Sequence, residues 1–360
     1  MWRYLGGKRS VRLSQSSDRF SLVSRMPRKS SDQTVAHPGS FRDPAGFIYS
    51  RNETLYRQIN KSGAKDYDLF MSSGLYEELV AKKLLIPHLE VSTILSLHAK
   101  KAYKIIQPST IPFISYPYEW SFSQLKDAAL LTLEVQKLAL THGMTLKDAS
   151  SFNVQFIGKT PVFIDTLSFA AYEPGAPWQG YKQFCEHFLA PLAVATTSTP
   201  NIIPSLKTMI DGIPLELATK LLPAKTRLQW GLTTHLFLHS AAQKKHKDTE
   251  TERLKPRVVS MFALKGLISS LERTIQKSHM PKIKTEWGKY YTNTNYSSSA
   301  FKAKKQLVEK FIKKAKPKMV WDMGGNTGEF SQIPASKGIY TVCFDIDPQA
   351  VEQNYLHKDK

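Results

Sequence analysis

Two stretches carry residue types at spacings that could do chemistry. The first is "MVWDMGGNTGEF", where an apolar run ends in Asp322 and is followed at once by Gly324, Gly325, Asn326 and Gly328. Glycines at such a turn let the backbone approach a ligand closely, and a helix starting just beyond offers free N–H groups. A second apolar run, "GIYTVCFDIDP", closes on Asp345. A carboxylate at the end of a second strand, about 20 residues past the glycines, is placed to accept hydrogen bonds from both hydroxyls of a ribose. The other stretch, "LKDASSFNVQFIGKTPVFIDTLSF", sets Asp148, Asn153 and Asp165 around a hairpin turning at Gly158.

These residues need elements to hold them. Residues 319–322 read as a buried strand that delivers the chain to the glycine turn, with a helix after it and a further strand up to Asp345. Ahead of the middle stretch, "GFIYSRNETLYRQIN" reads as paired strands around a turn, and "DLFMSSGLYEELVAKKLLIPHL" as a helix stopped by Pro87. "AYKIIQPSTIPFISYPYEW" follows as short, Pro-broken strands. "SFSQLKDAALLTLEVQKLALTHG" then opens with a capping-box pattern, Ser121 and Gln124, and ends at Gly143. It is apolar on most sides, which predicts a central helix. "WQGYKQFCEHFLAPLAVAT", "PLELATKLLP" and "VVSMFALKGLISSLERTIQK" read as further helices.

The fold class expected is therefore α/β plus α+β. Residues 1–45 read as a disordered basic tail, with Met26 as an alternative start, and residues 46–242 as an α+β domain. Residues 243–257 form a lysine-rich linker, 258–317 a helical connector and 318–360 the start of a Rossmann-like unit.

"VWDMGGNTG" resembles the first motif of class I S-adenosylmethionine (SAM)-dependent methyltransferases, an acid followed by G-x-G-x-G, and "VCFDIDPQAV" resembles their second. Asn326 stands where the middle glycine is usual, and Asn is among the few residues that tolerate positive φ. The resemblance implies that S-adenosyl-L-methionine is the cofactor. It also implies that Asp322, Gly324, Gly325, Asn326 and Gly328 shape the pocket for its methionine part, and that Asp345 binds its ribose. Trp287, Tyr290, Tyr291 and Tyr296 could lie over that cofactor or pack as ordinary aromatics. The dinucleotide fingerprint G-x-G-x-x-G is not matched. In such methyltransferases a seven-stranded sheet carries the site, and only its first two strands fit before Lys360. The expectation is thus an incomplete domain with no nameable catalytic residue, from a frameshift, a premature stop or a gene boundary.

Asp148, Asn153 and Asp165 resemble the catalytic loop and metal-binding Asp of protein kinases and aminoglycoside phosphotransferases. In those families such residues orient a hydroxyl and hold magnesium on ATP phosphates. Here Arg57 takes the place of the strand lysine, Lys147 that of an arginine, and "DTLSF" that of the usual tripeptide. Glu77 and Glu78 lie on the preceding helix, and the resemblance implies that the α+β domain of residues 46–242 is kinase-like. A kinase-like (pseudo)phosphotransferase or binding protein with a vestigial methyltransferase end is the alternative reading. The overall layout is similar to long bacterial methyltransferases associated with nodulation.

Composition narrows the classes. The chain has 360 residues, 41% of them hydrophobic, enough for a sizeable core. No apolar run reaches the ~18 residues a spanning helix needs, so a cytoplasmic protein without a membrane span is expected. Cys185 and Cys343 lack metal-ligand spacing, and neither a disulfide nor a metal is predicted. His235 and His239 share helical spacing but lack the glutamate of a zinc motif. The net charge of +20 is spread over lysine-rich helix faces and the linker, so nucleic acid is not the favoured partner. The acceptor substrate is left unknown.

Overall fold

The computed structural model describes residues 34–40, 43–248, 258–282, 284, 285, 287, 288, 290 and 297–357. Strands β1 (Thr34–Ala36), β2 (Gly46–Arg51), β3 (Thr54–Asn60), β4 (His88–Val91) and β5 (Ala102–Pro108) make an antiparallel sheet in the order β1-β2-β3-β5-β4. Asn52 and Glu53 both have positive φ, the geometry a tight hairpin between β2 and β3 demands. β1 carries ordered backbone into the stretch expected to be a tail, because Thr34 to Ala36 find ladder partners on β2 from Arg51 to Tyr49. Residues 1–33, 41 and 42, with Met26, lie outside the described part.

The helix expected before Pro87 is two helices, α1 (Ala64–Ser72) and α2 (Leu75–Ala81). Gly74, at φ +81°, turns the chain between them so that Phe70 and Leu75 both enter the core. Helix α3 (Phe122–Thr141) begins on the expected capping box: Ser121 Oγ accepts from the Gln124 N–H at 3.3 Å, and Gln124 Oε1 accepts from the Ser121 N–H at 2.9 Å. Its buried face includes Leu125, Leu133, Val135 and Ala139, and it runs through the centre of the core. Strands β6 (Met144–Leu146), β7 (Val154–Ile157), β8 (Thr160–Phe163) and β9 (Phe169–Ala171) then form two antiparallel pairs, β6 with β9 and β7 with β8.

Helices α4 (Tyr181–Phe184), α5 (Ala190–Thr197), α6 (Leu215–Leu221), α7 (Trp230–Leu232), α8 (His239–Asp248) and α9 (Met261–Gln276) pack beneath. α8 continues into the first part of the expected linker, while residues 249–257 are not described. The last elements are α10 (Ser298–Ala315), β10 (Met319–Met323), α11 (Gln332–Ala335), β11 (Tyr340–Phe344) and α12 (Pro348–Leu356). β10 and β11 are parallel, with Asp322 opposite Cys343. Of the Rossmann-like start expected here, the described residues supply this two-stranded sheet with its helices and no wider sheet. The architecture as a whole is mixed α/β.

α12 seats this last unit on α3. Glu352 accepts from the Ser123 N–H at 2.9 Å and from its hydroxyl at 2.5 Å, and the Tyr355 hydroxyl donates to Asp127 at 2.7 Å. No helix among the described residues is long and apolar enough to cross a membrane.

Candidate functional site

The glycine turn follows β10 directly. Gly324 (φ +76°), Asn326 (φ +52°) and Gly328 (φ +85°) all occupy left-handed conformations, the geometry for which Asn is the tolerated substitute for glycine. Gly325 is held for a different reason: a β-carbon there would lie 2.9 Å from Asp322 Cγ and would fall on Cys343 Sγ. The Gly324 and Gly325 N–H groups donate to Phe344 O at 2.8 and 2.9 Å, which pins the turn against the end of β11.

Asp345 stands just past β11 and fixes two backbone donors. Its Oδ2 accepts from the Asn326 N–H at 2.8 Å and its Oδ1 from the Asp347 N–H at 2.8 Å. A carboxylate has about four lone-pair sites, so about two remain for a ligand. Asp322 accepts from the Ser331 hydroxyl at 2.6 Å, behind the turn. Asn326 is 5% exposed; its Nδ2 donates to Trp287 O at 2.8 Å, while its Oδ1 is buried without a partner. Buried polar atoms are nearly always satisfied, so an orphan acceptor in a cleft wall marks a place for a donor.

The cleft has a volume of about 960 Å³. Asp322, Gly324, Gly325, Asn326 and Asp345 line it, and Trp287, Tyr290 and Phe330 give it aromatic walls. Gly328 lies outside that lining: a β-carbon there would be 2.6 Å from Asn354 Oδ1, so close packing against α12 explains it. Tyr291 and Tyr296 lie outside the described residues.

The middle constellation is also drawn together. Asn153 Nδ2 donates to Ser168 Oγ at 3.1 Å, and Ser168 Oγ donates to Asp165 Oδ2 at 2.9 Å. Asn153 also bonds the Asp148 side chain, and Asp148 Oδ1 accepts from the Ser150 N–H at 2.9 Å. What sequence reasoning missed is the role of Arg57. Its Nη1 lies 2.5 Å from Asp165 Oδ1, its Nη2 lies 3.8 Å from Asp43, and its Nε is buried without a partner. Burial alone would raise the Asp165 carboxyl. The Arg57 guanidinium and the bonds from Leu167 N–H and Ser168 outweigh it and hold that carboxyl below the usual range. Asp148 moves the other way, raised by burial and then by the nearby Asp165 charge. Glu78 is not part of this cluster: it bonds His142 Nε2 at 2.7 Å, whereas Lys147 pairs with Asp66 at 3.4 Å.

The two histidines at helical spacing, His235 and His239, both have structural partners. His235 lies between the Tyr181 hydroxyl at 2.8 Å and Ser270 Oγ at 2.9 Å, and His239 stacks on Tyr181.

The nodulation protein NoeA of Rhizobium meliloti (strain 1021) is 31% identical over 326 residues, covering 87% of this chain and 67% of that protein. The chain belongs to the NoeA family. No family model matches the chain. Among solved structures, vaccinia related kinase 3 aligns with 67% of this chain and 87% of its own, at a TM-score of 0.34 and 12% identity. A likeness of that size carries no argument about fold or activity. The name of that relative refers to nodulation and to no reaction, so it assigns no chemistry to this chain.

Proposed function

We propose that this NoeA-family chain binds S-adenosyl-L-methionine over the glycine turn of β10, as part of a methyltransferase acting on an unidentified acceptor. The observation that carries the reading is the pairing of Asp345 with Asn326. One residue brings a half-used carboxylate to the end of β11, and the other brings an unpartnered buried acceptor to the turn. Together they suit a nucleoside with ribose hydroxyls and an amino-acid ammonium nearby. Bound there, the cofactor would supply an electrophilic methyl group on a sulfonium centre.

The chain's own contribution would be positional. Gly324 and Gly325 let the backbone sit beside the ligand, Asp345 orients the ribose, and Trp287 and Tyr290 keep water from one side. The Rossmann-like identity of residues 318–360 and the separate α+β unit before it belong to this same proposal. The test is calorimetric titration of S-adenosylhomocysteine into the 360-residue chain. Saturable micromolar binding is expected, and no binding by a folded chain would overturn the reading.

A second reading rests on the chain of bonds from Asp148 through Asn153 and Ser168 to Asp165, which has the order of a kinase-like site. Arg57 weighs against magnesium there, because its guanidinium already neutralises Asp165 at 2.5 Å. The second reading is therefore a kinase-like binding unit without phosphoryl transfer. Magnesium-ATP binding that is lost in Asp165→Asn, together with phosphoryl transfer, would reverse this preference.

A further inference from the structure

Behind Trp287 and Tyr290, on the side away from the glycine turn, lies a second hollow of about 1050 Å³. It is bounded by the start of α3, by residues 278–282, 284, 285, 287, 288 and 290, and by α12. The same two aromatic residues line both spaces, so they form a shared wall. That wall is tied down on both sides: the Trp287 N–H donates to Asp347 Oδ2 at 3.3 Å, and Trp287 O accepts from Asn326 at 2.8 Å.

The lining of the hollow is lopsided in charge. Lys126, Lys282, Lys284 and His279 face it, and among the described residues Glu352 is the one carboxylate in its wall. Both Glu352 oxygens are already engaged by Ser123. Lys126 is half-buried, and two of its three ammonium hydrogens go to Gln276 O at 2.9 Å and Ser278 O at 2.8 Å. Burial pushes its pKa down, and the Asp127 and Glu352 charges only partly offset that cost. A fixed cation in a semi-enclosed space, with its local carboxylate spent on a helix terminus, is a site whose missing component is an anion. Gln349 and Gln353 add neutral amide groups to the same wall.

We propose that this hollow binds an anionic small molecule, carboxylate- or phosphate-bearing, and that Trp287 and Tyr290 couple its occupancy to that of the glycine-turn cleft. Resting on the cofactor reading above, this makes the hollow the acceptor's seat and makes the acceptor an anion. The anion site itself depends only on the lining.

The experiment is calorimetric titration of two probes, citrate and pyrophosphate, into the full chain without S-adenosylhomocysteine and at low salt. The same titrations are made on Lys282→Gln/Lys284→Gln, whose changed side chains are exposed, and on Lys126→Met. Saturable binding of one probe is expected, weakened about fivefold or more in the double variant, since two exposed charges together are worth roughly that factor. The probe that binds tells carboxylate from phosphate. Repeating the titration with S-adenosylhomocysteine present should shift the anion's Kd, and Trp287→Ala should abolish that shift. Unsaturable heats with both probes, or affinity unchanged in the double variant, would overturn the site; an unshifted Kd would overturn the coupling. Failure of S-adenosylhomocysteine to bind while an anion does would sink the cofactor reading and the coupling that rests on it, and would leave the anion site standing.

Discussion

Replacing Asp345 with Asn separates the ligand role of this carboxylate from its role in holding the glycine turn. The native side chain accepts from Asn326 N–H and Asp347 N–H, both at 2.8 Å, through different oxygens. An amide keeps one acceptor oxygen, so one of the two backbone donors loses its partner and the ribose loses a charged acceptor. Hydrogen bonds to charged groups contribute about 1.5–3 kcal/mol, and each 1.4 kcal/mol is tenfold in affinity. The Kd for S-adenosylhomocysteine should therefore rise about 10- to 150-fold by calorimetry. The lost backbone bond should lower stability by about 1 kcal/mol, a shift of a few degrees in the melting temperature. Asp345→Ala should be worse on both counts, because neither donor keeps a partner. A folded Asp345→Asn chain that binds S-adenosylhomocysteine with unchanged affinity refutes the assignment of this residue to the ligand. A large loss of melting temperature with the same affinity would leave it only the structural role.

Three other perturbations follow from the geometry. Gly325→Ala places a methyl 2.9 Å from Asp322 Cγ and against Cys343, so it should cost about 1–3 kcal/mol in urea unfolding and weaken S-adenosylhomocysteine binding. Full stability would mean that the turn has room it is not shown to have. Arg57→Met strips Asp165 of its ion-pair partner. Removal of one member of a buried pair costs about 3–5 kcal/mol, and with the Asp165 side chain 18% exposed the loss should fall nearer 2–4 kcal/mol; a loss below 1 kcal/mol would contradict the pairing. His88, His187 and His235 are each lowered by burial to about 4, while in the unfolded chain they titrate near 6.5. Unfolding between those pH values takes up as many as three protons, so stability should fall with acid by up to about 4 kcal/mol per pH unit. His142, raised by its bond to Glu78, has the opposite sign: its contribution is full below about 6.5 and is lost as pH rises through its higher folded value. Urea titrations from pH 4 to 8 read both, and a flat profile between 4 and 6.5 would show the three histidines to be accessible.

Local chemistry was legible in the sequence where a residue's own backbone decides the outcome. Ser121 and Gln124 cap α3, Gly143 and Gly158 take positive φ at the ends they were expected to mark, and Asn326 does so in place of a glycine. Where tertiary partners decide, the sequence was silent. Nothing local says that Arg57 reaches Asp165 or that Glu352 reaches Ser123, 229 residues away along the chain. The division of one expected helix into α1 and α2 is intermediate. Gly74 was visible, but the pull of Phe70 and Leu75 into one core, which makes the break worthwhile, was not. β1 escaped for the same reason as an edge strand usually does, since Val35 is 62% exposed and only the ladder to β2 identifies it.

The long-range contacts also explain why a two-stranded sheet can carry a site at all. A pair of strands is marginal by itself in water, and Trp321 and Met323 of β10 leave much of their surface exposed. Order must be imported, and the bonds show the route. Asn326 is fixed by Asp345, Asp345 holds Asp347, and Asp347 caps α12 through Gln349 N–H at 2.8 Å and Ala350 N–H at 3.2 Å. α12 then places the Glu352 carboxylate on the N-terminus of α3, where the helix dipole favours a negative charge, and buries Tyr355 in the main core. The glycine turn is thus tied by consecutive hydrogen bonds to the central helix of the molecule. Its geometry depends on α3 as much as on β10, and so the part of the chain that lacks the glycines still sets the shape of the cleft.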